Sequence, residues 1–330
     1  MQETRKANTD TVPPGWGWRA VVPASTANLG CAFDCGGIAL KLYLKALFIP
    51  SGNGELLLEY QGKTPERFPL DDSNLVLHAL RFAAAELDVP PPAGRIMIES
   101  EIPIGVGLGS SAAAIVAGLL LGARYSGKDV SAEDLLRWAE KVEGHIDNAA
   151  AAYHGGLVFA LSHNMERVVS IKTSFPESIR LLVVTPRTTV LSREARQVLP
   201  PTYDRADVLH TLQRIAVLAA TCFSGNFDLF PELFTDKLHQ PYRQKLVPGI
   251  ERCLGLRREG LLGVAISGSG SSVIAFVARN ATEIADALNE IFAEEGMQSE
   301  SFLTSADNNG AWVTREPVDA SKRSSDLATK

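Results

Sequence analysis

Residues Pro103–Ala114 read PIGVGLGSSAAA, and the rest of the chain is best understood from this stretch outward. Gly105, Gly107 and Gly109 alternate with apolar residues, and Ser110 and Ser111 then open an alanine-rich run. Glycines turn the backbone where other residues cannot and let a ligand approach the main chain. The serines stand where a helix would begin, with unpartnered N–H groups and the positive end of its dipole. Together these features describe an anion cradle, to which the two hydroxyls add contacts for a phosphate or a phosphate-bound Mg²⁺. No lysine follows the last glycine, so this is not a Walker A loop. The simpler alternative is a tight strand-to-helix turn capped by serine. The same region is uncharged from Ile102 to Ala123, long enough to cross a bilayer. Its first third is broken by proline, glycine and serine, so a loop running into a buried helix is expected, and no membrane span.

Three other segments carry polar residues in suggestive places. Upstream, Pro23–Gly37 (PASTANLGCAFDCGG) sets Asn28 and Asp34 among small residues in what reads as a long loop between strands. Such residues suit recognition of a polar ligand, and they also stabilise turns by themselves. Downstream, Glu143–Gly156 (EGHIDNAAAAYHGG) crowds Glu143, His145, Asp147 and Asn148 at a helix start. A carboxylate there suits Mg²⁺, which takes one or two carboxylates beside phosphate oxygens. Ordinary capping by Asp147 or Asn148 is the alternative. Last, Ile266–Ser272 (ISGSGSS) joins two apolar strands, and its glycines would let it lie against the 103–114 loop; a plain glycine hairpin is the alternative.

The surrounding chain is of ordinary globular composition. Its 330 residues suggest about two domains, and 45% hydrophobic with 21% charged residues argues against global disorder and a coiled coil. With 32 Lys+Arg against 38 Asp+Glu the net charge is −6, a poor balance for holding nucleic acid by its phosphates. Cys31, Cys35, Cys222 and Cys253 form no CxxC pair, so they read as reduced thiols of a cytoplasmic protein and not as a zinc site. The N-terminus has no apolar signal segment. Strand and helix patterns are interspersed, which indicates an α+β fold in two layers. A leader is predicted at 1–16, a first domain at 17–172, a second at 173–314 and a disordered tail at 315–330. Helices are predicted at 74–87, capped by Ser73, and at 131–142, capped by Ser131.

Taken in order, PASTANLG with Phe33-Asp34, PIGVGLGSSAAA, EGHIDN with Gly155-Gly156, and SGSG resemble the GHMP kinase superfamily. LSREAR (Leu191–Arg196) and HQPYRQKLVPG (His239–Gly249) narrow the resemblance to its homoserine kinase branch. It spans residues 18–314. The resemblance implies a two-domain GHMP kinase fold: an N-terminal domain like domain 2 of ribosomal protein S5, then a ferredoxin-like C-terminal domain. It implies ATP along Pro103, Ile104, Gly105, Val106, Gly107, Leu108, Gly109, Ser110, Ser111, Ala112 and Ala113. It implies Mg²⁺ on a loop serine, here Ser111, and on Glu143. It implies a small carboxylated alcohol at Asn28, Asp34, His145, Asn148, Ser192, Arg196, Arg243 and Gly268. Arg196 and Arg243 match two arginines at the substrate carboxylate. The implied catalytic set is Asn148, Glu143 and Ser111. Asn148 stands where related kinases carry an aspartate near the reacting hydroxyl, so it is expected to orient that hydroxyl. Cys31-Ala32, Ile146 and Ser271 depart from the family's usual Pro-Gly, proline and proline, and Ser192 replaces a threonine.

The implied activity is ATP-dependent phosphorylation of L-homoserine to O-phospho-L-homoserine in threonine biosynthesis, with ATP and L-homoserine as the small-molecule partners. Nucleic acid and membrane are not expected partners, and a homodimer stays among the open assemblies. Two other readings stand: a kinase of another small carboxylated alcohol, or a non-catalytic regulator that binds a metabolite. Retention of Ser110, Ser111 and Glu143 argues against the regulator.

Overall fold

The first sheet begins as a long hairpin. β1 (Trp16–Asn28) and β2 (Ala32–Pro50) pair antiparallel from Trp18 opposite Phe48 to Asn28 opposite Ala32. The segment 23–37, expected as a long loop, is therefore almost all strand. Its small side chains read as a loop by propensity, yet Ala24, Ala27 and Ala32 are fully buried, and packing decides. Only Leu29–Cys31 turns the chain, with positive φ at Asn28, Leu29 and Gly30. The computed structural model describes residues 15–51, 55–62 and 68–318. Of the leader expected at 1–16, residues 1–14 lie outside the described residues, as do 319–330 of the expected tail, while Trp16 already belongs to β1.

Beside β2 runs β4 (Gly94–Ser100), and beside that, parallel, β3 (Leu56–Gly62). β5 (Leu157–His163) pairs with the start of β2 and with β6 (Arg167–Thr173). α1 (Leu75–Glu86) is capped by Asn74, whose side chain accepts from the Val76 and Leu77 amides, and not by Ser73 as expected. α2 (Ser110–Ser126) and α4 (Asp147–His154) pack on β1 and β2. α3 (Ala132–Glu143) packs against α2, and Ser131 caps it as expected, accepting from the Asp134 amide.

The second sheet is antiparallel, in the order β10 (Ser299–Thr304), β7 (Arg180–Pro186), β9 (Val273–Val277), β8 (Leu261–Ile266). Its central strands β7 and β9 are buried on both faces. Leu181 and Val183 of β7 join Phe230, Phe234 and the core of the first sheet. Leu182 and Val184 face the other way, into a core closed by α8 (Ile250–Leu254) and α9 (Ala281–Glu294). A strand buried on both sides needs apolar residues throughout, hence RLLVVTP. The two sheets thus share one core. The remaining helices are α5 (Ser192–Gln197), α6 (Arg205–Ser224) and α7 (Gln240–Arg243).

The final strand, β11 (Trp312–Pro317), leaves the second sheet and pairs with β1, Trp16 opposite Pro317. Residues 312–314, expected in the second domain, and 315–317, expected in the tail, are therefore the edge of the first sheet. The chain pattern reads as strand over 310–313, but the polar residues after it hid the strand's continuation to Pro317, whose partner stands at the other end of the chain. No helix among the described residues is long and apolar enough to cross a membrane.

Candidate active site

A cavity of about 450 Å³ lies over the start of α2. Gly109 occupies the cap position with φ 67°, and no side chain caps the helix. The amides of Ser110 and Ser111 therefore stand at the cavity wall with the helix dipole behind them. The glycines serve packing as well as ligand approach. A Cβ on Gly107 would sit 2.0 Å from the Ser267 carbonyl oxygen and 2.8 Å from that of Gly270. The 267–272 loop does lie against this turn, as its glycines suggested: Ser267 Oγ donates to the Gly107 carbonyl at 2.7 Å, and the Ser272 amide to that of Val106 at 3.2 Å. Gly107→Ala is therefore expected to push these backbones apart, costing about 1–3 kcal/mol by denaturant melt together with nucleotide affinity by calorimetry. Unchanged stability would refute this packing role.

Next to the glycine turn, Ser111 Oγ donates to Glu143 Oε1. Glu143 Oε2 is buried without a hydrogen-bond partner among the described residues. Burial pushes the Glu143 carboxyl up, against the pull of His145 and the Ser111 hydrogen bond. His145 Nδ1 lies 2.8 Å from Asp147 Oδ1. Burial alone would lower the imidazole, but the hydrogen bond and charge of Asp147, with the charge of Glu143, raise it to about 9. Asp147 is itself held low, because His145 and the Asn148 amide outweigh its desolvation. Asn148 is buried, and its Oδ1 accepts from Ser25 Oγ at 3.0 Å. A hydroxyl, a carboxylate with an orphaned oxygen, and an imidazolium thus crowd one end of the helix-start amides.

Two arginines line the same cavity. Asn28, at the β1–β2 turn, donates from Nδ2 to the Gly268 carbonyl at 2.7 Å and accepts from the Asp34 amide at 3.0 Å. Arg196 on α5 grips Asp34 with both terminal nitrogens, each at 2.9 Å. Arg243 at the end of α7 is only 3% exposed. Its Nε donates to the Ala195 carbonyl and its Nη1 to that of Gly268, both at 3.1 Å. It forms no ion pair among the described residues, so a buried positive charge faces the cavity without a carboxylate of its own. Burial pushes this guanidinium down, with Asp34 pulling it back up.

Beneath Arg243 lies Phe33, ring centroid 5.0 Å from the guanidinium carbon, and Phe33 stacks in turn on His239 at 5.0 Å. His239 Nε2 donates to the Gly30 carbonyl at 2.7 Å, and burial keeps this imidazole neutral, lowered to about 4. A cation over a ring contributes roughly 0.5–2 kcal/mol. Phe33→Leu should therefore loosen whatever anion Arg243 holds by about twofold to thirtyfold. Phe33→Tyr should keep the native value. The measurement is KM for the carboxylated substrate beside KM for nucleotide, and equal changes in both would refute the platform.

Of the residues singled out by sequence, Asn28, Asp34, Ile104, Gly105, Gly107, Leu108, Gly109, Ser110, Ser111, His145, Asn148, Ser192, Arg196, Arg243 and Gly268 line this one cavity. Glu143 reaches it through Ser111. Pro103 and Val106 stand outside the lining, and Ala112 and Ala113 are fully buried beneath it. Six lining residues escape a reading of the sequence as site residues: Phe68, Pro69, Ser73, Asn74, Leu75 and Val190. So does the part of Asp147 as partner of His145. A capped helix start after Phe-Pro is the one signal present for the first five of the six; Asn74 both caps α1 and donates to the Pro69 carbonyl.

An uncapped helix start on a glycine turn, joined by one cavity to a carboxylate, an asparagine and two arginines from the later part of the chain, defines a small-molecule kinase of the GHMP class. The model of the GHMP kinases N terminal domain matches residues 74–156, and that of the GHMP kinases C terminal domain matches 217–294. The homoserine kinase of Solibacter usitatus is 35% identical over 294 residues, covering 89% of this chain and 96% of that protein. That of Moorella thermoacetica is 35% identical over 293 residues, covering 88% and 98%. The crystal structure of homoserine kinase from Cytophaga hutchinsonii superposes with a TM-score of 0.80 at 24% identity, covering 95% of this chain and 99% of that one. The chain belongs to the homoserine kinase family of the GHMP kinases.

Proposed function

We infer that the protein transfers the γ-phosphoryl group of ATP to the side-chain hydroxyl of L-homoserine, giving O-phospho-L-homoserine and ADP in threonine biosynthesis. Arg243 is the observation that carries the substrate class. A buried charge without a counter-ion is costly, and a substrate carboxylate supplies one in a bidentate geometry that a guanidinium suits. The Arg196–Asp34 pair fits the same ligand. Both side chains are more than a third exposed, so separating them costs little. A zwitterion can take the carboxylate of Asp34 for its ammonium and the guanidinium of Arg196 for its carboxylate, leaving no charge unpaired.

In the same cavity the α2 amides, with Ser110, would hold the phosphates. Ser111 and Glu143 would hold Mg²⁺, and the orphaned Glu143 Oε2 is the feature that fits them to it. When bound, the ion neutralises phosphate charge. Phosphoryl transfer needs positioning and charge stabilisation more than covalent help. Asn148 cannot take a proton, so it orients the hydroxyl, and the proton leaves to phosphate or solvent. Coupled ADP release across homoserine, serine, threonine, mevalonate and galactose tests the reading, with turnover expected on homoserine alone at low concentration. Preference for any other of these alcohols would overturn it.

The four free cysteines support a reducing, cytoplasmic setting. A homodimer is also proposed, on the exposed apolar side chains Leu209, Leu212, Val217 and Phe223 of α6 and Leu161 and Ile171 of the β5–β6 hairpin. Light-scattering mass at the monomer value would remove it.

A further inference from the structure

Behind α7 lies a second cavity, also of about 450 Å³. His210 and Arg214 of α6, Lys237 and Gln240, and Arg257 beyond α8 wall it, over an apolar floor that includes Phe234, Leu262 and Val264. Its guanidinium groups are held by neutral oxygens. Arg214 Nε donates to Thr235 Oγ1 at 2.6 Å and Nη1 to the His210 carbonyl at 3.2 Å. Arg257 Nη1 donates to the carbonyls of Leu254 at 3.2 Å and Leu256 at 2.9 Å. None of Arg214, Lys237 and Arg257 forms an ion pair among the described residues.

The one carboxylate in the wall, Asp236, is already engaged. It accepts from the amides of Leu238, His239 and Gln240 and from the Thr211 hydroxyl. The His210 imidazole is held below its usual range by partial desolvation, then by the charges of Arg214 and Lys237, against weaker pulls from Asp236 and Asp207. Single unpaired surface cations are commonplace. Three converging on a concave, apolar-floored cavity form a site for an organic anion.

One short segment contributes residues to both cavities. Gln240 and Gln244 face it, while Arg243, between them in sequence, faces the other way. Gln240 Nε2 donates to the Phe234 carbonyl and Oε1 accepts from the Ile266 amide, each at 3.0 Å. Displacing this wall therefore moves the segment that aims Arg243.

We propose that this second cavity is an effector site for a small organic anion with a short apolar body, and that its occupant changes affinity for the carboxylated substrate through α7. The coupling rests on the reading of Arg243 as the carboxylate clamp; the binding does not.

The test titrates isovalerate, isobutyl phosphate and, as an uncharged control, isovaleramide into the full chain by calorimetry. Homoserine and a non-hydrolysable ATP analogue are kept saturating, so the catalytic cavity is filled. One of the two anions is expected to bind, which identifies its headgroup, and the amide is not. Lys237→Gln combined with Arg257→Gln, both on exposed side chains, should weaken that binding about tenfold and leave activity without the anion unchanged. In steady-state kinetics the anion should shift KM for homoserine but not for ATP, in the wild type and not in the double variant. No binding tighter than about 10 mM, equal binding of the amide, or equal binding by the double variant overturns the site. Binding with an unmoved homoserine KM overturns the coupling. If Arg243→Leu also leaves that KM unmoved, the clamp reading has failed and the coupling with it, while the binding result stands by itself.

Discussion

Glu143→Gln is expected to lower kcat by about two to three orders of magnitude, the size of effect seen when one preorganised electrostatic contact to a developing charge is removed. Gln keeps an oxygen to accept the Ser111 hydroxyl, so the local structure should hold. What is lost is the charge that fits this position for Mg²⁺. The pH dependence of stability separates the two roles. Burial raises the folded Glu143 pKa above its unfolded value. The folded state then binds the extra proton, and stability falls as pH rises from the ordinary carboxylate range through the raised value. Gln does not titrate, so the variant should lose this slope and be no less stable near neutrality, while turnover and the Mg²⁺ titration collapse. Near-native activity across that titration would refute the ligand role. Equal losses of stability and turnover would mark Glu143 as a packing residue.

Arg243→Leu is expected to raise KM for homoserine at least about tenfold, because a hydrogen bond to a charged group contributes about 1.5–3 kcal/mol and each 1.4 kcal/mol is a decade. KM for ATP should move far less, since Arg243 bonds the Ala195 and Gly268 carbonyls and no residue of the α2 start. The fold should survive. Gly268 keeps Asn28 as a donor, leaving the Ala195 carbonyl alone without its partner, and a desolvated charge is removed in exchange. Arg243→Lys should recover some of the affinity, because an ammonium keeps the charge without the planar fork. Steady-state kinetics with each substrate varied in turn decide it. If both substrates weaken equally, Arg243 acts through the fold and not on the carboxylate.

These two residues show how unevenly the site is legible in the chain. Glu143 can be picked out because it stands among polar residues at a predicted helix start, directly after the capped 131–142 pattern. Arg243 carries no local signal: HQPYRQ reads as an ordinary polar segment, and only the family resemblance raises it. Its lack of a counter-ion, its seat over Phe33 and its hydrogen bond to Gly268 all come from elements far apart in sequence. Phe68 and Leu75 escape notice for the same reason, since nothing local distinguishes a loop phenylalanine that lines a cavity from one that fills a core.

Local pattern was enough for most helices, most strands and the glycine turn. Periodicity, caps and breakers act over a few residues, and so the α2 start and the Ser131 cap could be read from the chain alone. The folded molecule settled what local pattern cannot carry. It turned the 23–37 segment into strand, because burial of Ala24, Ala27 and Ala32 outweighed their poor strand propensity. It brought β11 back to the edge of β1, where the unpaired backbone of Trp16–Val21 finds its partners. It also set Gly107 against the 267–270 backbone, so that one glycine answers both to the ligand and to a loop 160 residues away. Pairings of this kind depend on which distant groups arrive together, and that is a property of the folded chain alone.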